Sequence, residues 1–481
     1  MPSDNYILRV PDSLIVRHYE EQDTLPEYRT DFMRDRDRLM YATAFRRLSG
    51  KTQIYTVGRD DHRKNRLTHT LEVSQIARTV AIALGFDTDL VEAIALGHDF
   101  GHTPFGHAGE RMLHDIMIPD SPYVKESPFY MKSFSKIKRR FERENRKKAE
   151  SINSIFGFKH NLQSVRVAAL LEDSYRNDNN ENIGLNLTNF TLYGMMTHSA
   201  PAYNKEDLYP NFQNSFNEQM KMKDCDEFAW SFEAYIVRIA DDIAQWHHDL
   251  EDAMREGVLP LKKICDTIYI SLDKALDDTD RRKLLDIGET TLIDRRCIAE
   301  LSHIVINTLV TDLVDKSEEN LNKLKETLNQ KGIVDPEQVF KHFDSLNLGK
   351  NRDEVISFSS NIETDGFKEV IKASIHHSRS VERMNEKGKY IIRKLFEAYY
   401  AHPQQLPDGQ ILHFLVDVGS QKYKNINDAK SAGIGEARGE FEKIMENPGV
   451  YAECMLMRRI CDHIASMTDH YAIEEYNNLY G

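Results

Sequence analysis

Leu96-Gly-His98-Asp99-Phe-Gly-His102-Thr-Pro-Phe-Gly-His107-Ala-Gly-Glu110 packs three histidines and two carboxylates into fifteen positions. Glycines and one proline punctuate the stretch and fix where the chain turns. Imidazole beside carboxylate is the usual donor set for a divalent ion that works on phosphate esters. Histidines not used as ligands are then free to carry protons. A metal-dependent hydrolase is therefore the reading against which the rest of the chain is tested.

A His-Asp dipeptide alone is too common to carry that reading, so the flanking segments matter. Arg66-Leu-Thr-His69-Thr-Leu-Glu-Val73 opens a run with apolar residues at Leu71, Val73, Ile76, Ala77, Val80, Ala81 and Leu84. That recurrence predicts an amphipathic helix, with His69 on the inward stripe four residues before Val73. A second helix, from about Asp89 to Leu96, is apolar nearly all round and delivers His98 and Asp99 at its C-terminal end. A third, Tyr235 to Asp249, places Asp241 beside Ile236, Ile239, Ile243 and Leu250. One histidine on an apolar stripe is more often a hydrogen-bonded core residue, and one aspartate more often a cap or an ion-pair partner. Several such groups converging in one helical core need a shared cation, because burying an unpaired carboxylate is costly.

Composition agrees. The chain has 481 residues, a net charge of −14, and 23 Gly and 14 Pro. Sparse Gly and Pro with abundant Leu, Ile, Ala, Lys and Glu favour an all-α protein. The negative balance disfavours nucleic acid and anionic membrane as general partners. One exception is the basic run from Lys136 to Lys148, read as a solvated helix face or as an anion contact for an effector nucleotide or single-stranded nucleic acid. Cysteines at 225, 265, 297, 454 and 461 have no zinc or disulfide spacing and read as reduced thiols of a cytoplasmic protein. The N-terminus lacks the apolar region of a secretion signal, and no apolar run approaches membrane-spanning length, so no membrane role is expected. The expected organisation is an N-terminal arm over 1–33, a catalytic core over 34–255, an accessory helical region over 256–365, and helices closing the fold over 366–481. The polar stretch 174–190 reads as a surface loop.

The order Arg66-x-x-His69, His98-Asp99, then distant Asp241 resembles the HD superfamily of metal-dependent phosphohydrolases. Longer motifs resemble its deoxynucleoside triphosphate triphosphohydrolase, or dGTPase-like, branch. They include Arg34-Asp-Arg-Asp-Arg38, Phe45-Arg-Arg-Leu48, Lys51-Thr-Gln53, Arg66 to Val73, His98 to Glu110, Phe158-Lys-His160-Asn161-Leu-Gln-Ser164 and Cys461 to Asp469. The similarity is dense over roughly residues 25 to 255 and thinner from 365 to the C-terminus.

The resemblance implies an HD-domain helical core with an accessory helical lobe and C-terminal helices. It implies that His69, His98, Asp99 and Asp241 hold a divalent transition metal (Mn, Fe, Co, Ni or Zn). A second divalent ion, Mg or Mn, would arrive with the substrate. The implied reaction is attack at the α-phosphorus of a dNTP, giving deoxynucleoside and tripolyphosphate. His107 and Glu110 match an acid–base dyad, and their spacing of three places them on one face if helix begins there. His102 and His160 match histidines lining the phosphate region, where a structural role beside the metal is the competing reading. Arg66 has the planar fork suited to phosphate. Gln53 and Asp249 match residues that bind the sugar 3′-hydroxyl, Ile54 one that crowds the 2′ carbon, and Asn161 joins the substrate-binding set. A homo-oligomer, tetramer or hexamer, and an allosteric nucleotide are further implications. Gln245 departs from the pattern, which commonly has tyrosine four residues after the metal aspartate.

Two other classes compete. Cyclic-dinucleotide hydrolases of the superfamily carry a Gly-Tyr-Pro element absent here, and guanosine tetraphosphate hydrolases lack the His102–His107–Glu110 extension. A non-catalytic nucleotide sensor would not need all four ligand positions and the dyad.

Overall fold

The computed structural model describes residues 5–21, 26–53, 64–117, 157–179, 181–198, 220–223, 228–255, 257, 259–290, 294–341, 346, 354–366, 378–420, 422, 423 and 425–481. Ile54, Cys225 and the basic run 136–148 lie outside them. The chain is all-α: among the described residues the only β pairings are isolated bridges.

Three of the helices read from the sequence form the centre. Arg66–Leu84 opens with a capping box, in which Asn65 Oδ1 accepts from the Thr68 amide and the Thr68 hydroxyl accepts from the Asn65 amide. It closes on Gly85, whose φ of 75° a side chain would resist. Thr88–Gly97 starts where Asp87 accepts from the Asp89 and Leu90 amides. Phe232–Arg255 packs on Arg66–Leu84, which packs on Thr88–Gly97, which in turn covers Asp31–Tyr41. The helix Arg295–Gln330 lies against both Phe232–Arg255 and Arg66–Leu84. Contrary to the sequence expectation, one stretch of that helix is long and apolar enough to span a bilayer by length and composition. Its Leu301, Ile304, Val305, Leu309 and Leu313 are instead buried in the protein core.

A second apolar core gathers Arg379–Ala401, Asp408–Asp417, Val450–Ala465 and Asp469–Tyr480. Gly106–Met117, carrying the end of the opening motif, belongs to this core through Met112, Leu113, Ile116 and Met117. The motif therefore crosses from one core to the other between His98 and Gly106.

The stretch 174–190 meets the surface-loop expectation only in its first part, where the described residues from 174 to 182 are exposed or half-buried. Residues 183–190 are buried, and the Leu185 and Asn186 carbonyls accept from the Arg38 guanidinium. Its polar residues serve internal hydrogen bonds: Asn186 Oδ1 accepts from the Tyr19 amide, and Thr188 donates to Asp35.

Candidate metal and phosphate site

His69 and Asp241 meet across the central helix pair, with His69 Nε2 2.9 Å from Asp241 Oδ1. His98 caps the end of Thr88–Gly97. Its Nε2 stands 3.4 Å from Asp99 Oδ1 and 3.9 Å from Asp241 Oδ1. His69, His98 and Asp99 are buried, and Asp241 is partly exposed to the cavity. The four residues expected to hold a metal thus come together.

Proton positions show that a cation fits among them. His98 Nδ1 lies 2.6 Å from the Ala95 carbonyl. A carbonyl only accepts, so Nδ1 carries the proton and Nε2 presents a bare lone pair to two carboxylates. On the far side of His69, its Nδ1 is 3.3 Å from His248 Nδ1, and His248 Nε2 is bonded to the Glu72 carboxylate. Glu72 accepts, so His248 donates from Nε2, receives at Nδ1, and leaves His69 Nε2 bare as well. Burial pushes the His248 imidazole down to about 3, against its bond to Glu72, so it stays neutral. Two lone pairs and two anions face one another, an arrangement that repels without a positive ion between them. Burial opposes ionisation of Asp99, but His102, His98 and Arg66 outweigh it and hold its carboxyl well below the usual range.

Arg66 sits beside this group, 2% exposed. Its Nη1 donates to Asp99 Oδ2 at 2.7 Å, while Nε and Nη2 have no hydrogen-bond partner among the described residues. Gly106, at φ 56°, lets the turn pass close to that guanidinium: a Cβ there would stand 3.3 Å from Nη2.

The histidine–carboxylate group around Glu110 is larger than the expected pair. Helix does begin at Gly106, and His107 Nδ1 lies 3.1 Å from Glu110 Oε2. His160 Nδ1 lies 3.1 Å from both Glu110 oxygens, and the His160 amide also donates to Glu110. Burial opposes ionisation of Glu110, but His160 and then His107 outweigh it and hold the carboxyl far below its ordinary range. His102 stacks on His160 with ring centroids 3.9 Å apart and bonds Asp99 at 3.1 Å. Burial, then the Arg66 charge, holds the His102 imidazole well below its ordinary range. Gly101 permits the approach of His160, since a Cβ there would collide with the His160 carbonyl and the Ser164 amide.

At the other end, Gln53 Nε2 donates to Gln245 Oε1 at 2.7 Å, and Gln245 Nε2 donates to Asp249 Oδ1 at 2.7 Å. The departing residue thus links the two side chains expected at the sugar. Burial raises the Asp249 carboxyl well above its usual range, despite the Gln245 bond. Asn161 does not join them. Its Nδ2 donates to the Met196 carbonyl at 3.2 Å, and it does not line the cavity, because the first turn of His160–Arg166 points it into the core.

One cavity of about 310 Å³ connects these groups. Gln53, Arg66, His69, Asp99, His102, His107, His160, Asp241, Gln245 and Asp249 line it, with Phe105, Arg111, Val381 and Asn385. Sequence reading did not single out those last four, nor Glu72, His198 or His248. His198 carried a usable signal, since it ends an apolar helix just as His98 does. The C-terminal motif, quoted without a role, braces the site. Asp469 accepts from the Thr52 hydroxyl and, at 2.9 Å, from the Phe105 amide. Lys51 donates to the His102 and Ala465 carbonyls, and Asp462 pairs with Arg166 at 2.8 Å.

Comparisons with known proteins agree with this geometry. The HD domain model matches residues 66–164, and the phosphohydrolase-associated domain model matches 355–414 and 440–478. A deoxyguanosinetriphosphate triphosphohydrolase-like protein of Bartonella henselae is 32% identical over 470 residues, 95% of this chain and 91% of the relative. One from Rickettsia felis is 31% identical over 465 residues, 96% and 94% of the two chains. The chain belongs to the dGTPase-like family of HD phosphohydrolases. Its site carries the His and Asp groups that can hold a divalent metal in such a domain, and the family's second domain supplies the helices that brace Lys51, Thr52 and Phe105.

Proposed function

We propose that this protein hydrolyses deoxynucleoside triphosphates at the α-phosphorus, releasing deoxynucleoside and tripolyphosphate. The observation that carries the reading is the conjunction around one cavity of three features: bare imidazole nitrogens facing carboxylates, two unpartnered Arg66 donors, and a carboxylate shared by two histidines that line the cavity. The relatives' names support the nucleotide class.

In this reading His69, His98, Asp99 and Asp241 hold a divalent transition ion, which when bound supplies Lewis acidity and a nucleophile at neutral pH. A second divalent ion, Mg or Mn, accompanies the triphosphate. Arg66 Nε and Nη2 receive phosphate oxygens in the planar fork geometry. The P–O5′ bond breaks, and the departing 5′-oxygen takes a proton from His107, whose Nδ1 is anchored on Glu110. His160 shares the Glu110 carboxylate with His107 and is the second imidazole of this group. Gln53 and Asp249 bind the 3′-hydroxyl once it replaces Gln245 as their partner. Ile54, outside the described residues, is carried over from the family resemblance alone as the residue at the 2′ position.

A panel of the four dNTPs and four rNTPs, with products resolved by anion-exchange chromatography, tests this. Tripolyphosphate with deoxynucleoside, and rates for dNTPs well above those for rNTPs, are expected. Release of pyrophosphate or orthophosphate, or equal rates for dGTP and GTP, would overturn the reading.

A further inference from the structure

The Asn189–Thr197 helix ends at His198 in the way Thr88–Gly97 ends at His98. Each histidine places Nδ1 2.6 Å from the carbonyl three residues back, Ala95 for His98 and Met195 for His198. Since a carbonyl only accepts, both Nδ1 atoms are protonated and both Nε2 atoms carry a bare lone pair. Both Nε2 atoms are buried and have no hydrogen-bond partner among the described residues. The two rings meet edge to face, their centroids 5.0 Å apart. Ligand atoms of His98, His198 and Asp241 lie within 4.8 Å of one another, as do those of His69, His98 and Asp99, so the two trios share His98. A histidine serving only to fill the core would find a donor for its second nitrogen, because leaving a buried polar atom unpaired is unfavourable. His198 instead leaves that nitrogen without one among the described residues.

We propose that His198 is a fifth protein ligand of the metal centre, joining it from the side of His98 and Asp241. The inference rests on the metal reading of the site given above. Three imidazoles and two carboxylates exceed the tetrahedral set that zinc prefers and suit an ion that accepts five or six donors, such as Mn²⁺, Fe²⁺ or Co²⁺.

The test is X-ray absorption spectroscopy of the full chain loaded with Co²⁺, which counts bound imidazoles, together with Co²⁺ affinity from chelator competition. The wild type should show three imidazoles. His198→Ala and His198→Gln, each checked for helical content by circular dichroism, should show two, and release the ion at chelator concentrations about 10- to 100-fold lower. Two imidazoles in the wild type overturn the proposal whether or not either variant folds. An unchanged imidazole count in a folded variant does the same. His98→Ala separates this from the underlying reading: if it retains full Co²⁺ occupancy, the metal site itself is misplaced. If it loses the ion while His198 variants leave the spectrum unchanged, only the fifth ligand is refuted.

Discussion

Arg66→Lys is the substitution that most directly separates a phosphate site from a buried ion pair. In the structure one guanidinium nitrogen is committed to Asp99 at 2.7 Å, while Nε and Nη2 are buried without partners. Lysine can keep the charge beside Asp99 but offers no planar fork. If a phosphate oxygen occupies the two idle donors, the variant loses charge-assisted hydrogen bonds worth about 1.5–3 kcal/mol each. Loss of one corresponds to about 10- to 150-fold weaker binding, and loss of both to more, without strict additivity. Stability should move the other way or not at all, because the free protein sheds two unsatisfied donors while Asp99 keeps a cation. The assay is competitive inhibition by tripolyphosphate, the proposed product, on wild type and variant with equal metal content. Thermal denaturation with and without tripolyphosphate gives a second readout that does not need turnover. Tripolyphosphate constants within about threefold of each other, with equal thermal shifts, would refute the assignment of those donors to phosphate.

Other substitutions probe the remaining parts. Asp241→Ala and His69→Ala should leave a folded helical protein with reduced metal content and no turnover; elemental analysis beside an activity assay decides, and wild-type turnover by either refutes the ligand set. His107→Ala should lower kcat by at least ~10²-fold with metal retained, the usual scale for losing general acid–base help, and metal loss would instead make His107 a ligand. Gln245→Tyr removes the link between Gln53 and Asp249 and frees both for the sugar, so KM should fall with kcat nearly constant; a change confined to kcat contradicts that. Glu233 gives the pH prediction. Burial, then Asp87, raises its carboxyl to about 7 from an ordinary 4.5, and its Oε2 has no partner among the described residues. The folded state therefore keeps a proton that the unfolded chain has released, and stability falls as pH rises from 4.5 through 7. Glu233→Gln should remove that decline, leaving the variant more stable than wild type at pH 8 by on the order of 3 kcal/mol and no more stable at pH 4.5, as read by urea denaturation.

Periodicity made the three central helices legible because each buries one stripe, and the inward residues His69, His98 and Asp241 sit on the stripes or at their ends. The spacing of His107 and Glu110 likewise announced their contact. What the sequence hid depends on long-range pairing. Glu110 bonds His160 fifty residues away, and Glu72 reaches His248 across the packed helices. No local pattern encodes such partners. Residues 183–190 misled because Asn and Thr are turn formers in isolation, yet here they hydrogen-bond inside the core. The apolar stretch of Arg295–Gln330 escaped notice because charged residues farther along the helix dilute it.

The candidate site is divided between two cores, one built on the HD domain and the other on the family's second domain. Metal-facing groups stand on helices of the first core, and His107 with Glu110 stands on a helix packed into the second. The distance between the His69–Asp241 group and the His107–Glu110 pair is therefore set by how the two cores meet, and the contacts there are polar and specific. Asp469 grips Thr52 and Phe105, Lys51 bridges His102 to Ala465, and Asp462 holds Arg166 on the His160 helix. Burial, with the Arg47 and Arg66 charges, pushes the Lys51 ammonium down to about 7. Apolar contacts alone would let the cores slide, because dispersion is non-directional. Directional bonds from the C-terminal helices to Lys51, Thr52 and Phe105, next to Gln53 and the His102–Gly106 turn, fix the two cores in one register.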